Sequence, residues 1–280
     1  MKLSIIIVNW NGCILTKNCI NSILETNPGK IQIGDFEIIV IDNGSADDSL
    51  TELEKLGDSI KLIRNKNNTG YAPACNQGIM QAQGEYTLLL GNDTIILNST
   101  LEKCISFLDE TPECGAAGCK LLNPDKTAQN NCKKFPVFIN GFYTYLSLDK
   151  LNRNYDMSWF NYDKTMEVEQ ISTTFLMVRT DLLKDIGGFN ERYKILYNDV
   201  DLCKRIWDSG NKILFLHTAE VIHFGNQSTK NAGFRERKIM YLDIYRYYRK
   251  NFGMKAIFLV PILFVRLLLI TLFGNNASER

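Results

Sequence analysis

Leu3-Ser4-Ile5-Ile6-Ile7-Val8-Asn9-Trp10-Asn11-Gly12 decides the fold. Its first six residues are nearly all apolar and rich in β-branched side chains, the pattern of a strand covered on both faces. Asn9 to Gly12 is a turn, and a helix is predicted from about Cys13 to Leu24. The alternation continues with a strand at Phe36 to Ile41, ended by Asp42-Asn43-Gly44-Ser45, and a helix from Asp47 to about Leu56. Ile60 to Ile63 is a short strand, Ala72 to Gln83 a helix, and Tyr86 to Leu90 a strand closed by Gly91-Asn92-Asp93. This spacing predicts an α/β fold: a mainly parallel sheet flanked by helices through right-handed crossovers. Ligands of such sheets sit at the carboxyl ends of strands. Trp10, Asp42 and Asp93 all fall at such ends.

At 280 residues, 45% hydrophobic and 22% charged, the chain can bury one substantial core or two closely joined halves. A formal net charge of +1 argues against a global attraction to nucleic acid. The eight cysteines form no CxxC pair and no zinc-finger spacing, which suits a reduced, cytoplasmic compartment. The apolar run from Leu3 to Val8 is too short for the core of a secretory signal.

Two clusters carry the chemistry. Asn92-Asp93 closes a strand, where an acid suits a metal bound to a diphosphate; Asn198-Asp199 opens a helix, where an acid suits a base facing an acceptor hydroxyl. Each position also has a plain structural reading. Trp10 reads equally well as a cap on the core, and Asp42 with Gly44 and Ser45 as a common turn. Asn68-Thr69-Gly70 suits a backbone that approaches a diphosphate closely, or a turn alone. A lone His223 in Val221-Ile222-His223-Phe224 is ordinarily a buried strand residue. Asp201 is the rival to Asp199, which is preferred because it adjoins the turn. No GxGxxG follows the first strand, which disfavours a dinucleotide-dependent oxidoreductase.

The ordered set resembles the inverting glycosyltransferases of family two, which have the GT-A fold. It comprises Ser4 to Gly12, Ile39 to Ser45, Asn68 to Ala72 with Asn76-Gln77-Gly78, and Leu88 to Asp93. It continues through Gly187 to Glu191, Tyr197 to Leu202, and His223 followed by Ser228. The similarity covers about residues 3 to 250 and is greatest to the rhamnosyltransferase-like branch. It implies a nucleotide-sugar donor, dTDP-rhamnose or a UDP-sugar, and a divalent metal, magnesium or manganese. It also implies inversion at the anomeric carbon. Asn9, Trp10, Asp42, Asn68, Gly70, Asn76, Asn92 and Asp93 match donor-binding positions. Trp10 stands where an aromatic ring packs near the base, Asp42 where a carboxylate accepts from the pyrimidine imide. Asp93 and His223 match metal ligands, and Asp199 the catalytic base. Two departures stand out: Gly91 replaces the first acid of the metal triplet, and Asn198 replaces the acid before the base. A donor-binding but inactive homologue is the alternative these leave open.

The resemblance implies one GT-A domain over residues 1–225, with a Rossmann-like donor half at 1–95 and an acceptor half at 96–225. A C-terminal helical tail follows at 226–280. Aromatics between Pro124 and Val168, among them Phe135, Phe138, Tyr145, Trp159 and Tyr162, read as sugar platforms, core or interface. Thr173-Thr174 stands where relatives often carry Gly-Ala. In the tail, Ala256 to Phe273 is almost wholly apolar behind a basic stretch with interleaved Tyr241, Tyr245, Tyr247 and Tyr248. Arg266 and Pro261 disfavour a true span, so an interfacial helix on an anionic membrane is expected, with a span, a core helix or a homodimer contact as alternatives. The setting implied is bacterial surface-glycan synthesis on a glycan or lipid-linked acceptor, at the inner face of the cell membrane.

Overall fold

Seven residues, Leu3–Asn9 (β1), form a strand with no exposed residue, because helices cover both faces of the sheet it centres. The computed structural model describes residues 1–25, 36–97, 99–225 and 234–273; Ser228 lies outside them. After β1 come α1 (Cys13–Glu25), β2 (Phe36–Asp42), α2 (Ser49–Glu54), β3 (Lys61–Arg64), α3 (Tyr71–Gln81) and β4 (Tyr86–Leu90). The chain continues through β5 (Thr94–Ile96), α4 (Thr100–Glu110), β6 (Cys114–Leu122), β7 (Cys132–Lys133), α5 (Phe138–Tyr145), β8 (Met166–Glu167) and β9 (Gln170–Ile171). It closes with β10 (Phe175–Arg179), α6 (Thr180–Asp185), α7 (Asn198–Asp208), β11 (Lys212–His223), α8 (Phe234–Phe252) and α9 (Val260–Phe273).

The large sheet runs β3-β2-β1-β4-β10-β6-β11-β5, with β8 beside β11. The first four strands are parallel, as the sequence predicts. Beyond β4 the sheet is mixed. β10 lies antiparallel to both β4 and β6, and β11 is parallel to β6 but antiparallel to β5. Phe175-Leu176-Met177-Val178 is an unbroken apolar run, which marks a buried strand without revealing its direction.

Alternating side chains of β1 feed two cores. Ile5 and Ile7 pack with Ile20 and Ile23 of α1, whereas Ile6 packs with Ala74 and Ile79 of α3. Each buried isoleucine contributes about 1.5–3 kcal/mol. Gly78 lets α3 lie this close, since a Cβ there would sit 2.7 Å from Ile6 Cγ2. A third core joins Tyr145, Tyr193 and Val200 to Ile244, Tyr247, Tyr248, Leu259 and Leu263 of the C-terminal helices. Tyr247 and Tyr248 are therefore packing residues. Of the four tyrosines interleaved in the basic stretch, these two face the domain and are closed off from any surface.

Most of the aromatics between β7 and β10 are packing residues too. Phe138 meets Tyr248 and Phe252, and Phe160 and Tyr162 stack edge-on against Phe215. Of Phe135, Phe138, Tyr145, Trp159 and Tyr162, Trp159 alone is exposed. All eight cysteines are free thiols, and Cys114 and Cys119 lie buried in β6.

Candidate functional site

The ends of β1, β2 and β4 meet in one hydrogen-bonded network. Asn9 is fully buried; its Nδ2 donates to Asp42 Oδ1 at 2.9 Å and Ser45 Oγ at 3.0 Å. Asp42 Oδ2 accepts from the Ser45 N–H at 3.2 Å. Thr16 Oγ1 donates to Asn9 Oδ1 at 2.7 Å and accepts from Asn92 Nδ2 at 3.0 Å. Asn92 thus points back to the start of α1, so the triplet Gly91-Asn92-Asp93 presents one acid to the cleft. Trp10, 54% exposed, stands at the rim of this network.

Asn43 ties that network to the loop before α3. Its Oδ1 accepts from the Thr69 N–H at 3.1 Å, the Thr69 hydroxyl at 3.0 Å and Asn65 Nδ2 at 3.0 Å. Its Nδ2 donates to Asn68 Oδ1 at 3.0 Å and the Gly70 carbonyl at 3.2 Å. Gly44 permits the close approach: its φ is +77° and a Cβ would sit 2.7 Å from the Asn67 backbone. Gly70, at φ +95°, begins α3. Asn76 turns elsewhere. Its amide bonds both the N–H and the carbonyl of Phe189, at 2.8 and 3.0 Å, and Glu191 Oε1 at 2.9 Å.

Asp93 and His223 meet although they are 130 residues apart, because β11 pairs with β5 and sets His223 opposite Thr94. His223 Nε2 lies 3.4 Å from Asp93 Oδ1. His223 Nδ1 lies 2.7 Å from Gln129 Oε1, while Gln129 Nε2 donates to the His223 carbonyl at 2.7 Å and Asn123 Oδ1 at 2.8 Å. Those two acceptors orient the amide, so Nδ1 donates to Oε1 and Nε2 turns its own valence to the carboxylate. Imidazole and carboxylate together suit a divalent ion that takes its remaining ligands from a diphosphate. Among the described residues no cluster of three or more His, Cys, Asp and Glu could hold a metal. Beside this pair opens a cavity of about 550 Å³ lined by Asn123, Gln129, Asn130, Asn131, Ser172 and His223.

Ser172, Thr173 and Thr174 connect the two halves. The Gly91 N–H donates to the Thr174 carbonyl at 2.8 Å, and the Thr173 side chain bonds the Tyr71 phenol. Asp199, at the start of α7, lies in the field of Tyr71, Tyr155 and Lys133. Removal from water raises its carboxyl above the ordinary value, against the opposing Val200 N–H and the Lys133 charge. The Val200 N–H donates to its Oδ1 at 2.8 Å. Asp201 differs. It is buried, and binds Arg205 Nε at 2.8 Å and Lys250 Nζ at 2.5 Å. Asn198 Oδ1, buried beside Asp199, has no partner among the described residues.

Sequence reasoning missed Gln129 and Asn43 as working residues. Asn43 had a local signal, lying between Asp42 and Gly44. Gln129 had none, since its role exists only where β11 passes.

The Glycosyl transferase family 2 profile matches residues 4–177. The chain belongs to this family. It has the GT-A fold. It is 25% identical over 208 residues to the N-acetylglucosaminyl-diphospho-decaprenol L-rhamnosyltransferase of Mycobacterium tuberculosis, covering 69% of this chain and 67% of that one. It is 25% identical over 258 residues to the O-antigen biosynthesis protein RfbC of Myxococcus xanthus, covering 91% of this chain. The chain spans 20% of the length of RfbC and 26% of the Sinorhizobium fredii protein y4gI, to which it is 24% identical. Among solved structures, Staphylococcus aureus TarS 1–349 in complex with UDP-GlcNAc superposes with a TM-score of 0.62 at 22% identity, over 99% of this chain and 75% of that one. The mannosyltransferase PcManGT of Pyrobaculum calidifontis, in complex with GDP-Man and Mn2+, gives 0.62 at 14% identity, over 98% and 76%.

Proposed function

We propose that this chain transfers one sugar, with inversion, from a nucleotide-sugar donor to a hydroxyl of a glycan or lipid-linked acceptor in bacterial surface-polysaccharide synthesis. The observation that carries this reading is the approach of Asp93 and His223 at 3.4 Å, with His223 oriented by Gln129, just past the carboxyl end of β4. Asp42, Trp10 and the Asn68–Gly70 loop receive the nucleotide; Asn9, Asn92 and Asn76 hold those elements in place. Asp93 and His223 would hold magnesium or manganese, which would neutralise charge on the departing diphosphate. A complex of PcManGT with Mn2+ supports a divalent ion for this fold.

Asp199 takes the proton from the acceptor hydroxyl as its oxygen bonds the anomeric carbon, opposite the leaving diphosphate. Its raised pKa suits that role, and its rival is occupied by Arg205 and Lys250. The rhamnosyltransferase relative favours dTDP-rhamnose, and the TarS complex favours a UDP-sugar. Placement is cytoplasmic, peripheral at the inner membrane face, where a lipid-linked acceptor is presented.

The test is a panel of dTDP-, UDP- and GDP-sugars assayed for donor hydrolysis, with manganese and with chelator. One donor hydrolysed in a metal-dependent way supports the reading. Donor binding without turnover, on every acceptor and ion offered, would establish the inactive homologue instead.

A further inference from the structure

The geometry points to a monotopic membrane face made of two elements, α9 with the turn before it and the flank of α5, that docks on an anionic bilayer without crossing it. The proposal rests on the membrane placement given above and is independent of donor chemistry.

Residues Glu236–Leu269 are, by length and composition, helical and apolar enough to cross a membrane. The segment is nonetheless broken. α8 ends at Phe252, Gly253 adopts φ +58°, and a 3-10 turn covers Gly253–Leu259 before α9 begins. The 14 residues of α9 rise about 21 Å, short of the ~30 Å hydrocarbon core. One side of this segment belongs to the protein: Ala256, Leu259 and Leu263 are buried against Tyr145 and Tyr248. Arg266 is held there too. Its Nε donates to the Tyr145 carbonyl and its Nη2 to Ser147 Oγ at 2.5 Å. Tyr145 is the last residue of α5, so the guanidinium meets the negative end of that helix. The charge that would oppose insertion is therefore occupied on the protein side, and a span would have to give up both contacts and core.

The other side is apolar and bare. Ile257, Phe258, Phe264, Val265 and Leu268 recur at helical spacing, and Phe258 and Phe264 are each 66% exposed. Leu146 and Leu148, exposed and adjacent to the two groups that hold Arg266, extend the patch onto the flank of α5. Charge selects the occupant. From Ile244 to Phe273 the chain carries five cations and no acid; Asp243, Asp201 and the end of α5 engage Arg246, Lys250 and Arg266, and Arg249 and Lys255 stand exposed beside the apolar stripe. A second copy would bring two cationic faces together across a twofold axis, whereas an anionic headgroup layer complements both the apolar stripe and its basic border.

The face is coupled to the proposed base. Asp243 of α8 accepts the N–H groups of Lys194, Ile195 and Leu196 at 2.9, 2.7 and 3.1 Å, immediately before α7 and Asp199. A docked tail thus presents the acceptor side of the cleft to the lipid surface.

The test is flotation of the full chain with vesicles of phosphatidylcholine alone or with 30% phosphatidylglycerol, beside the double variant Ile257→Asp/Phe264→Asp. Both residues are exposed, so circular dichroism and manganese-dependent nucleotide binding should match the parent. We expect at least tenfold more parent protein on anionic than on neutral vesicles, and loss of that binding in the double variant. A Phe264→Trp variant should be quenched by lipids brominated near the carbonyl region and not by lipids brominated at the bilayer centre. Quenching at the centre would establish a span and overturn the proposal. So would a lipid-independent dimer abolished by the double variant, or a parent chain that ignores anionic vesicles. Failure of nucleotide binding in the parent would sink the donor reading and leave the flotation result standing.

Discussion

Asp199 and Asp201 share the first turn of one helix, yet their surroundings assign them opposite work. Asp201 neutralises Arg205 and Lys250; Asp199 has no basic side chain bonded to it among the described contacts and is raised by burial. Asp199→Asn should lower transfer by roughly two to four orders of magnitude with donor affinity retained, read by turnover and calorimetry. The pH sign follows. A carboxyl whose folded pKa lies above its unfolded value loses its favourable contribution as pH rises through the folded value, so charged Asp199 destabilises the fold at neutral pH. Asp199→Asn should therefore raise Tm at pH 7 even as it slows transfer, and the acidic limb of kcat/KM in the parent should lie above the ordinary aspartate range. Wild-type turnover in the variant would remove Asp199 from the mechanism. At the other end of the cleft, Asp93→Ala or His223→Ala should make donor affinity the same with manganese and with chelator. Gln129→Leu should keep the fold and weaken manganese-dependent binding by about 10–100-fold, since it orients a ligand. Equal donor affinity with and without metal in the parent would show that the lone acid at Asp93 does not recruit one.

Among the elements, the loop between β3 and α3 depends on a single side chain. Asn43, 2% exposed, holds Asn65, Asn68, Thr69 and Gly70 at once. Asn43→Ala should destabilise the protein by about 1–3 kcal/mol in urea unfolding, because it removes the bonds to the Thr69 N–H, the Gly70 carbonyl and the Asn65, Asn68 and Thr69 side chains together. It should weaken nucleotide binding as well, since the same loop carries Asn68 and Gly70. Unchanged affinity with reduced stability would separate the loop from the donor.

For the molecule as a whole, the C-terminal helix α8 is bound to the loop before α7. Fully buried Asp243 collects three backbone N–H groups and pairs with Arg246 at 2.7 Å. Asp243→Ala should destabilise by ~3 kcal/mol and lower kcat more than donor affinity, because it frees the loop that positions α7. A variant with normal kcat and reduced Tm would confine α8 to scaffolding.

Periodicity by itself determined the parallel part of the sheet. Leu3 to Val8, Phe36 to Ile41 and Tyr86 to Leu90 read as buried parallel strands because each face of a covered sheet must be apolar, and the polar residues that follow them fall at the carboxyl edge. That is local information, carried within ten residues. Only the tertiary structure decided the rest. β10 could not reveal its direction, since an apolar run looks alike both ways. The pairing of β11 with β5 brought His223 to Asp93, and no spacing in the chain encodes that distance. Tyr247 and Tyr248 became core, and Arg266 became a cap on α5, because their partners lie on helices roughly a hundred residues away. Which acid is free and which is neutralised depends on who stands opposite, and that is settled only when the chain has folded.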